Sequence, residues 1–237
     1  MNLLLVAVAL AGSAQGPAPA TVPMREEPYH RPSFENRYVA VYDVRLPVGA
    51  IMRYHEHPTN HLAVVIDSGR MRNEVVGRPP KLNPTGPSGT IVYLPAGPPH
   101  RQANIGSTTV HFAAIEVLGR LHSAGDSAGG PSPPPDGGEQ RVAPGGGPGC
   151  RMVLERLDVR AWRCLLPPGQ AAAARPRSGP FVRVAVTPGV IEQRLASGAT
   201  RTEQVAAGTT AWHESPDTVP VKNAGSSPLE FVDIEWK

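Results

Sequence analysis

Residues 90–118 and 209–237 superimpose without a gap at an offset of 119. Asn104, Gly106, Phe112, Ile115 and Glu116 then fall on Asn223, Gly225, Phe231, Ile234 and Glu235. Upstream, Phe34-Glu35-Asn36 is echoed by Leu154-Glu155-Arg156, and residues 43–49 (DVRLPVG) by residues 163–169 (RCLLPPG), at an offset of 120. Self-similarity of this kind marks an internal duplication, so both halves are expected to take one fold. A chain of 237 residues allows one large or two small domains, and the repeat selects two.

The text of each half is written in short strands. Residues 37–49 alternate, 61–69 and 90–97 are apolar runs that end in turns, and 108–118 closes the first block. Glycine and proline, 25 and 28 residues, punctuate these runs, and no helical period links them. The expectation is all-β, a sandwich or barrel in each half.

Between the halves, residues 120–149 carry almost no large apolar side chains and read as a flexible Gly/Pro-rich linker. Residues 3–11 are an apolar run followed by Gly12, Ser13, Ala14 and Gln15, the layout of a secretory signal. The run is too short to span a bilayer. Residues 1–14 are therefore expected to direct export, to the periplasm or beyond. Met1-Asn2 lacks the expected base, which leaves room for a start further upstream or for a mere apolar tail. Residues 15–33, with five prolines and no period, read as a disordered leader. A net charge of +3 without basic runs speaks against nucleic acid.

Four of the eight histidines fall in two clusters. His55 and His57 are two apart, so on a strand they leave one face and Glu56 the other. His61 follows a Pro-Thr-Asn corner, and His100 follows a turn rich in proline and glycine. Nitrogen donors arriving from several strand ends suit a first-row divalent cation. The two clusters resemble the paired motifs of the cupin superfamily, G-x5-H-x-H-x3-4-E-x6-G and G-x5-P-x-G-x2-H-x3-N. Gly89, Pro95, Gly97, His100 and Asn104 match the second motif at every spacing. Gly49, His55 and His57 match the first, Gly69 lies one residue late, and His61 stands where the family has its acidic ligand.

Because the second half is a duplicate of the first, the chain resembles a bicupin of the quercetin-dioxygenase-like kind, with two tandem double-stranded β-helix (jelly-roll) barrels at 34–119 and 150–237. The resemblance implies one metal in the first barrel, held by His55, His57, His61 and His100, with Fe(II) first and Mn, Ni or Zn as alternatives. The second half has lost the pattern. Arg175, Arg177, Phe181 and Val219 stand at the ligand positions, and arginine does not give up a proton to coordinate a cation. Arg175 and Arg177 are either an anion-binding pair or side chains snorkelling to a structural barrel's rim.

Gln102 shares strand parity with His100 and is a cavity-lining candidate; Tyr54 and Tyr93 would need the parity to slip. His111 reads as a packed or surface histidine, and His30, His122 and His213 carry no assignment. Cys150 and Cys164 flank an expected hairpin and are either a disulfide or two separate thiols.

An all-histidine site carries no negative charge and favours a small anionic partner, an enolate, phenolate or thiolate. Dioxygenase chemistry is one class that follows. Others are a non-catalytic small-molecule-binding or structural module and a metal-dependent isomerase. An isomerase needs a general acid or base, and the inward-facing positions show no obvious carboxylate. Fold alone does not choose among them, and a homodimer is compatible with all.

Overall fold

The computed structural model describes residues 19–119, 140–173, 179–195, 198–214 and 221–237. Apart from one turn of 3-10 helix at Met24–Glu26, its regular elements are strands. The first half contains β1 (Thr21–Pro23), β2 (His30–Glu35), β3 (Val39–Leu46), β4 (Tyr54–Glu56) and β5 (His61–Asp67). It continues with β6 (Arg70–Val75), β7 (Lys81–Pro84), β8 (Ile91–Leu94), β9 (His100–Asn104) and β10 (Val110–Val117). After β11 (Gln140–Val142) come β12 (Gly149–Glu155), β13 (Val159–Leu166), β14 (Phe181–Ala185), β15 (Gly189–Arg194) and β16 (Thr200–Val205). The chain closes with β17 (Thr210–His213), β18 (Val221–Asn223) and β19 (Leu229–Trp236).

The duplication is explicit in the sheet order. The first large sheet runs β11-β8-β5-β10-β3-β2, and the second runs β17-β14-β19-β13-β12, the same order without the edge strand. The small sheets repeat likewise, β9-β6-β7 within the first and β18-β15-β16 in the second. Even the bulge recurs, at Pro32/Phe34 in β2 and at Met152/Leu154 in β12. The fold is two tandem all-β cupin barrels.

Strand alternation has two buried destinations. On β5, Leu62, Val64 and Ile66 join a core shared with Leu154, Val159, Val182, Val184, Ile234 and Trp236 of the other half. The alternate residues His61, Ala63 and Val65 face the interior of their own barrel. Both faces being buried, the large-sheet strands read as apolar runs. β10 and β19 are buried along their whole length.

Motif residues hold the frame. Asn104 Nδ2 donates to the carbonyls of Leu46 and Thr108, both at 2.8 Å, and its Oδ1 accepts from Gly106 N–H at 2.9 Å. Asn223 makes the same three bonds, to Leu166, Ser227 and Gly225, at the same distances. Gly89, with φ of +82°, lies against Glu230 and Arg163 of the second barrel, and its repeat Gly208, with φ of +85°, lies against His111 of the first. Behind these glycines, His111 pairs with Asp43 at 2.6 Å and Arg163 with Glu230 at 2.6 Å, equivalent positions with the acidic and basic residue types exchanged. The barrels thus meet across a pseudo-twofold contact, and His111 is a packed residue of it.

Three expectations change here. Residues 21–33 are not merely a leader: β1 pairs in parallel with β4, and β2 pairs with β3. The prolines misled because Pro23 ends an edge strand and Pro32 sits at a bulge, two places where a missing N–H is tolerated. Within the expected linker, Gln140–Val142 pairs with β8 and satisfies its free edge, while 120–139 lies outside the described residues. Cys150 and Cys164 are cross-strand neighbours joined by a disulfide, with Cα atoms 4.0 Å apart. The export segment 1–14 and His122 also lie outside the described residues. No helix among those described is long and apolar enough to cross a membrane.

Gly89→Ala should cost about 2 kcal/mol or more, because a Cβ meets a left-handed backbone and the Glu230 carboxylate together. Gly49→Ala, at φ of +77° with open space around it, should cost only about 1 kcal/mol. Urea denaturation of both variants measures the difference, and equal losses would deny the inter-barrel contact any weight.

Candidate metal centre

Five histidines of the first barrel converge. β4 and the residue after it turn His55 and His57 inward, both buried, and leave Glu56 exposed. His100 opens β9 directly opposite His55, and His61 opens β5. The fifth is His30, the first residue of β2 and fully enclosed. His30, His55 and His57 each offer a ring nitrogen within 4.8 Å of the other two, a group able to hold a metal ion.

Ring spacing separates the members. At a metal–nitrogen distance of about 2.1 Å, imidazoles bound at right angles or wider have centroids roughly 4.5 Å or more apart. His55 lies 4.7 Å from His30, 4.7 Å from His100 and 5.2 Å from His57, and His57 lies 5.2 Å from His100. By ring position all four spacings suit ligands of one ion, but the nitrogens of His100 lie outside the group within 4.8 Å that His30, His55 and His57 form. His61 instead stacks on His57 at 3.7 Å, nearly parallel at 12°, which is too close for two ligands at right angles.

The outer contacts set the tautomers. His30 Nδ1 meets Glu27 Oε2 at 3.0 Å and His55 Nδ1 meets the Arg53 carbonyl at 3.0 Å, so both carry their proton there and leave Nε2 as donor to a metal. Glu27 is almost fully buried and also accepts the backbone N–H of Tyr29 at 2.7 Å and of Arg53 at 3.2 Å. Burial would raise its pKa, but the bonds from His30, Tyr29 and Arg53 outweigh burial and lower it below the usual carboxylate range. His57 Nδ1 is buried with no hydrogen-bond partner and faces Glu116 Oε1 at 3.4 Å.

Desolvation decides the protonation states. Burial, then the neighbouring imidazoles, pushes His55 down to about 3, and burial first pushes His61 and His100 to about 4. His57 is lowered further, by burial first and then by the imidazoles of His61, His100, His55 and His30 around it. At neutral pH these are uncharged nitrogen donors. With an orphaned buried Nδ1 among them, the donor set fits a divalent transition metal. Burial raises the Glu116 carboxyl to about 7.

The same barrel holds a cavity of about 50 Å³, lined by Ala63, Val65, Val92, Leu94, Asn73 and Gln102 among others and by none of the cluster histidines. Gln102 thus lies on the cavity wall. Tyr54 and Tyr93 point elsewhere: Tyr54 Oη donates to Glu74 at 3.2 Å, and Tyr93 Oη donates to Asp158 of the second barrel at 3.3 Å.

Sequence reasoning missed His30, Glu27 and Glu116. His30 was hidden by the prolines around it, although the repeat places it opposite Cys150 at an offset of 120. Glu116 was legible by alternation, because it pairs with His61 across β10 and β5. An inward carboxylate therefore exists, contrary to the expectation of none. Nothing local marks Glu27.

The second barrel carries bulkier side chains at several equivalent positions. Phe181 occupies the position of His61 and stacks on His213 at 4.3 Å, and Cys150 occupies that of His30. Arg183 replaces Ala63 and Asp233 replaces Ala114; the two form a buried bidentate pair at 2.8 and 3.0 Å. The guanidinium lies 4.5 Å over the Phe231 ring. Arg175, Arg177 and Val219 lie outside the described residues.

Two measurements check this electrostatic picture. In the metal-free protein the cluster histidines have folded pKa values below their ordinary 6.5, so their stability is whole above about pH 6.5 and is lost as pH falls toward 3. Glu116 acts oppositely, losing stability as pH rises through about 7, but it is one group against several. Urea midpoints should fall between pH 7 and pH 4, and a flat profile would contradict the buried cluster. Asp233→Ala and Arg183→Met should each cost about 3–5 kcal/mol by stranding the partner's buried charge, while the double replacement Arg183→Met/Asp233→Leu should cost much less; losses that simply add in the double variant would mean the pair is not coupled.

No protein-family model matches the chain, and no curated protein matches it in sequence. Solved structures do match in fold. Oxalate decarboxylase from Bacillus subtilis superimposes with a TM-score of 0.60 at 17% identity, over 84% of this chain and 69% of that one. AerE from Microcystis aeruginosa gives a TM-score of 0.58 at 12% identity, over 89% and 98%. At such identities the likeness speaks for architecture, and with the paired sheets and the repeated motif it places the chain, by fold, among the bicupins.

Proposed function

We propose that the chain is an exported metal-dependent enzyme of dioxygenase type, acting on small anionic substrates in the first barrel, with the second barrel a structural partner. The observation that carries it is the cluster of buried, uncharged imidazoles, set in a barrel whose strands also line a small cavity. His55, His57 and His100, with His61 in the same cluster, would hold one divalent metal, Fe(II) in the first place and Mn, Ni or Zn otherwise. Bound there, the metal would supply Lewis acidity and, if redox-active, the means to use O2.

Neutral ligands leave the ion its full charge, so an enolate, phenolate or thiolate is drawn to it. Ala63, Val65, Val92 and Leu94 keep water from the apolar part of such a molecule, and Gln102 and Asn73 offer amide groups to its polar edge. The Cys150–Cys164 disulfide supports export, since such bonds persist in oxidising compartments.

Glu116 favours a second reading. A buried carboxyl facing His57, with its pKa raised to about 7, suits proton transfer without O2, as in an isomerase or a decarboxylase.

Metal analysis of the native protein, then O2 uptake against enolic, phenolic and thiol substrates, tests both. The expected result is one metal per chain and substrate-dependent O2 consumption; turnover without it would select the acid–base reading. His100→Ala should lose the metal, and His61→Glu should keep it but bind anionic substrates more weakly. A full metal complement in the His55→Ala/His57→Ala double variant would overturn the proposal.

A further inference from the structure

We propose that His30, held by Glu27, is itself a ligand of the first-barrel metal, in the place that His61 would otherwise fill, and that metal loading clamps residues 21–35 onto the barrel. This rests on the metal reading above and adds a ligand that the paired histidine motifs do not contain.

Four observations converge. His30, and neither His61 nor His100, completes the group of mutually close nitrogens with His55 and His57. The His30 ring lies 4.7 Å from His55 and 6.0 Å from His57, the second spacing suiting a wide angle at the ion. His61 is stacked on His57 at 3.7 Å and is better placed to orient that ring than to share its metal. Finally, the duplication separates the two kinds of barrel: where Phe181 stands for His61, Cys150 stands for His30 and is committed to a disulfide.

Glu27 makes the arrangement rigid. One carboxylate holds His30 Nδ1 through Oε2 and the Arg53 backbone N–H through Oε1, and the Arg53 carbonyl in turn holds His55 Nδ1. Two ligands from separate segments are thus oriented by one buried charge. A carboxylate behind a metal-bound imidazole also raises its basicity, and losing such a partner typically costs roughly 10–100-fold in metal affinity. The same bonds explain why the segment packs: β1 pairs with β4, the strand that carries His55. A merely structural His30 would need Glu27 but would not need the spacing it keeps to His55 and His57.

Co(II) titration of the full chain, read by its visible ligand-field spectrum, tests the inference. His30→Gln should weaken Co(II) binding roughly tenfold or more and change the spectrum. Imidazole added to His30→Gly should restore the spectrum, which a packing role would not allow. Glu27→Gln should weaken binding while keeping the spectral form, and His61→Gln should leave both nearly unchanged. Wild-type affinity and spectrum in His30→Gln would overturn the inference and leave a metal held by His55, His57 and His100. If wild type takes up no Co(II), or His55→Gln binds it equally well, the metal reading falls and the inference with it. Should the His30 variants not fold, hydrogen exchange of the wild type decides. Amides of residues 24–35 should slow on Co(II) addition more than those of β13 and β19, and equal slowing would overturn the clamp.

Discussion

The shared apolar core between the two large sheets is the constraint on which the rest depends. It buries the outer face of β5, β10, β14 and β19, so each of these strands loses solvent on both sides. A strand buried on both faces must give one face to aliphatic packing, and Leu62, Val64 and Ile66 do this for β5. The other face is then free to carry polar chemistry in a dry interior. Had one barrel stood alone, that outer row would face water, and the same sequence would be an exposed apolar sheet.

Dryness explains the histidine cluster. Several imidazoles within about one ring diameter would repel one another if protonated, and burial keeps them neutral. Neutral imidazoles can approach closely and stack, as His57 does on His61. Glu27 is a buried anion close to His30 and His55, and it is satisfied by three hydrogen bonds. Charge is thus placed behind the ligand nitrogens and kept away from the space they enclose.

The second barrel shows what the same frame does without that chemistry. Asn223 repeats the three bonds of Asn104, so the turn it stabilises survived the loss of the ligands. The cavity did not. An interior lined by alanines at Ala63 and Ala114 is occupied in the copy by Arg183 and Asp233, paired bidentately and covered by the Phe231 face. A buried ion pair contributes little net stability, yet a single member without its partner is costly, so the two are coupled. Across the interface, His111–Asp43 and Arg163–Glu230 keep the pairing geometry while exchanging acid and base.

By itself the sequence determined the strand-rich class, the duplication, the shared face of His55 and His57, and the second motif from Gly89 to Asn104. These are local matters of period and spacing, and a strand's twofold period fixes which residues share a face whatever the strand packs against. Glu116 belonged to the same legible set, since it alternates with Ala113 and Ile115 of the shared core. Only the tertiary structure decided that His30 and Glu27 belong to the site. The contact between Glu27 and Arg53 spans 26 residues, and nothing in a proline-rich segment announces that its edge will pair with β4. It also decided that Cys150 and Cys164 bond, because the hairpin register brings them opposite each other. The orientation of His61 was settled by packing too, since spacing can bring a ring to a site but only its neighbours determine where its nitrogens point.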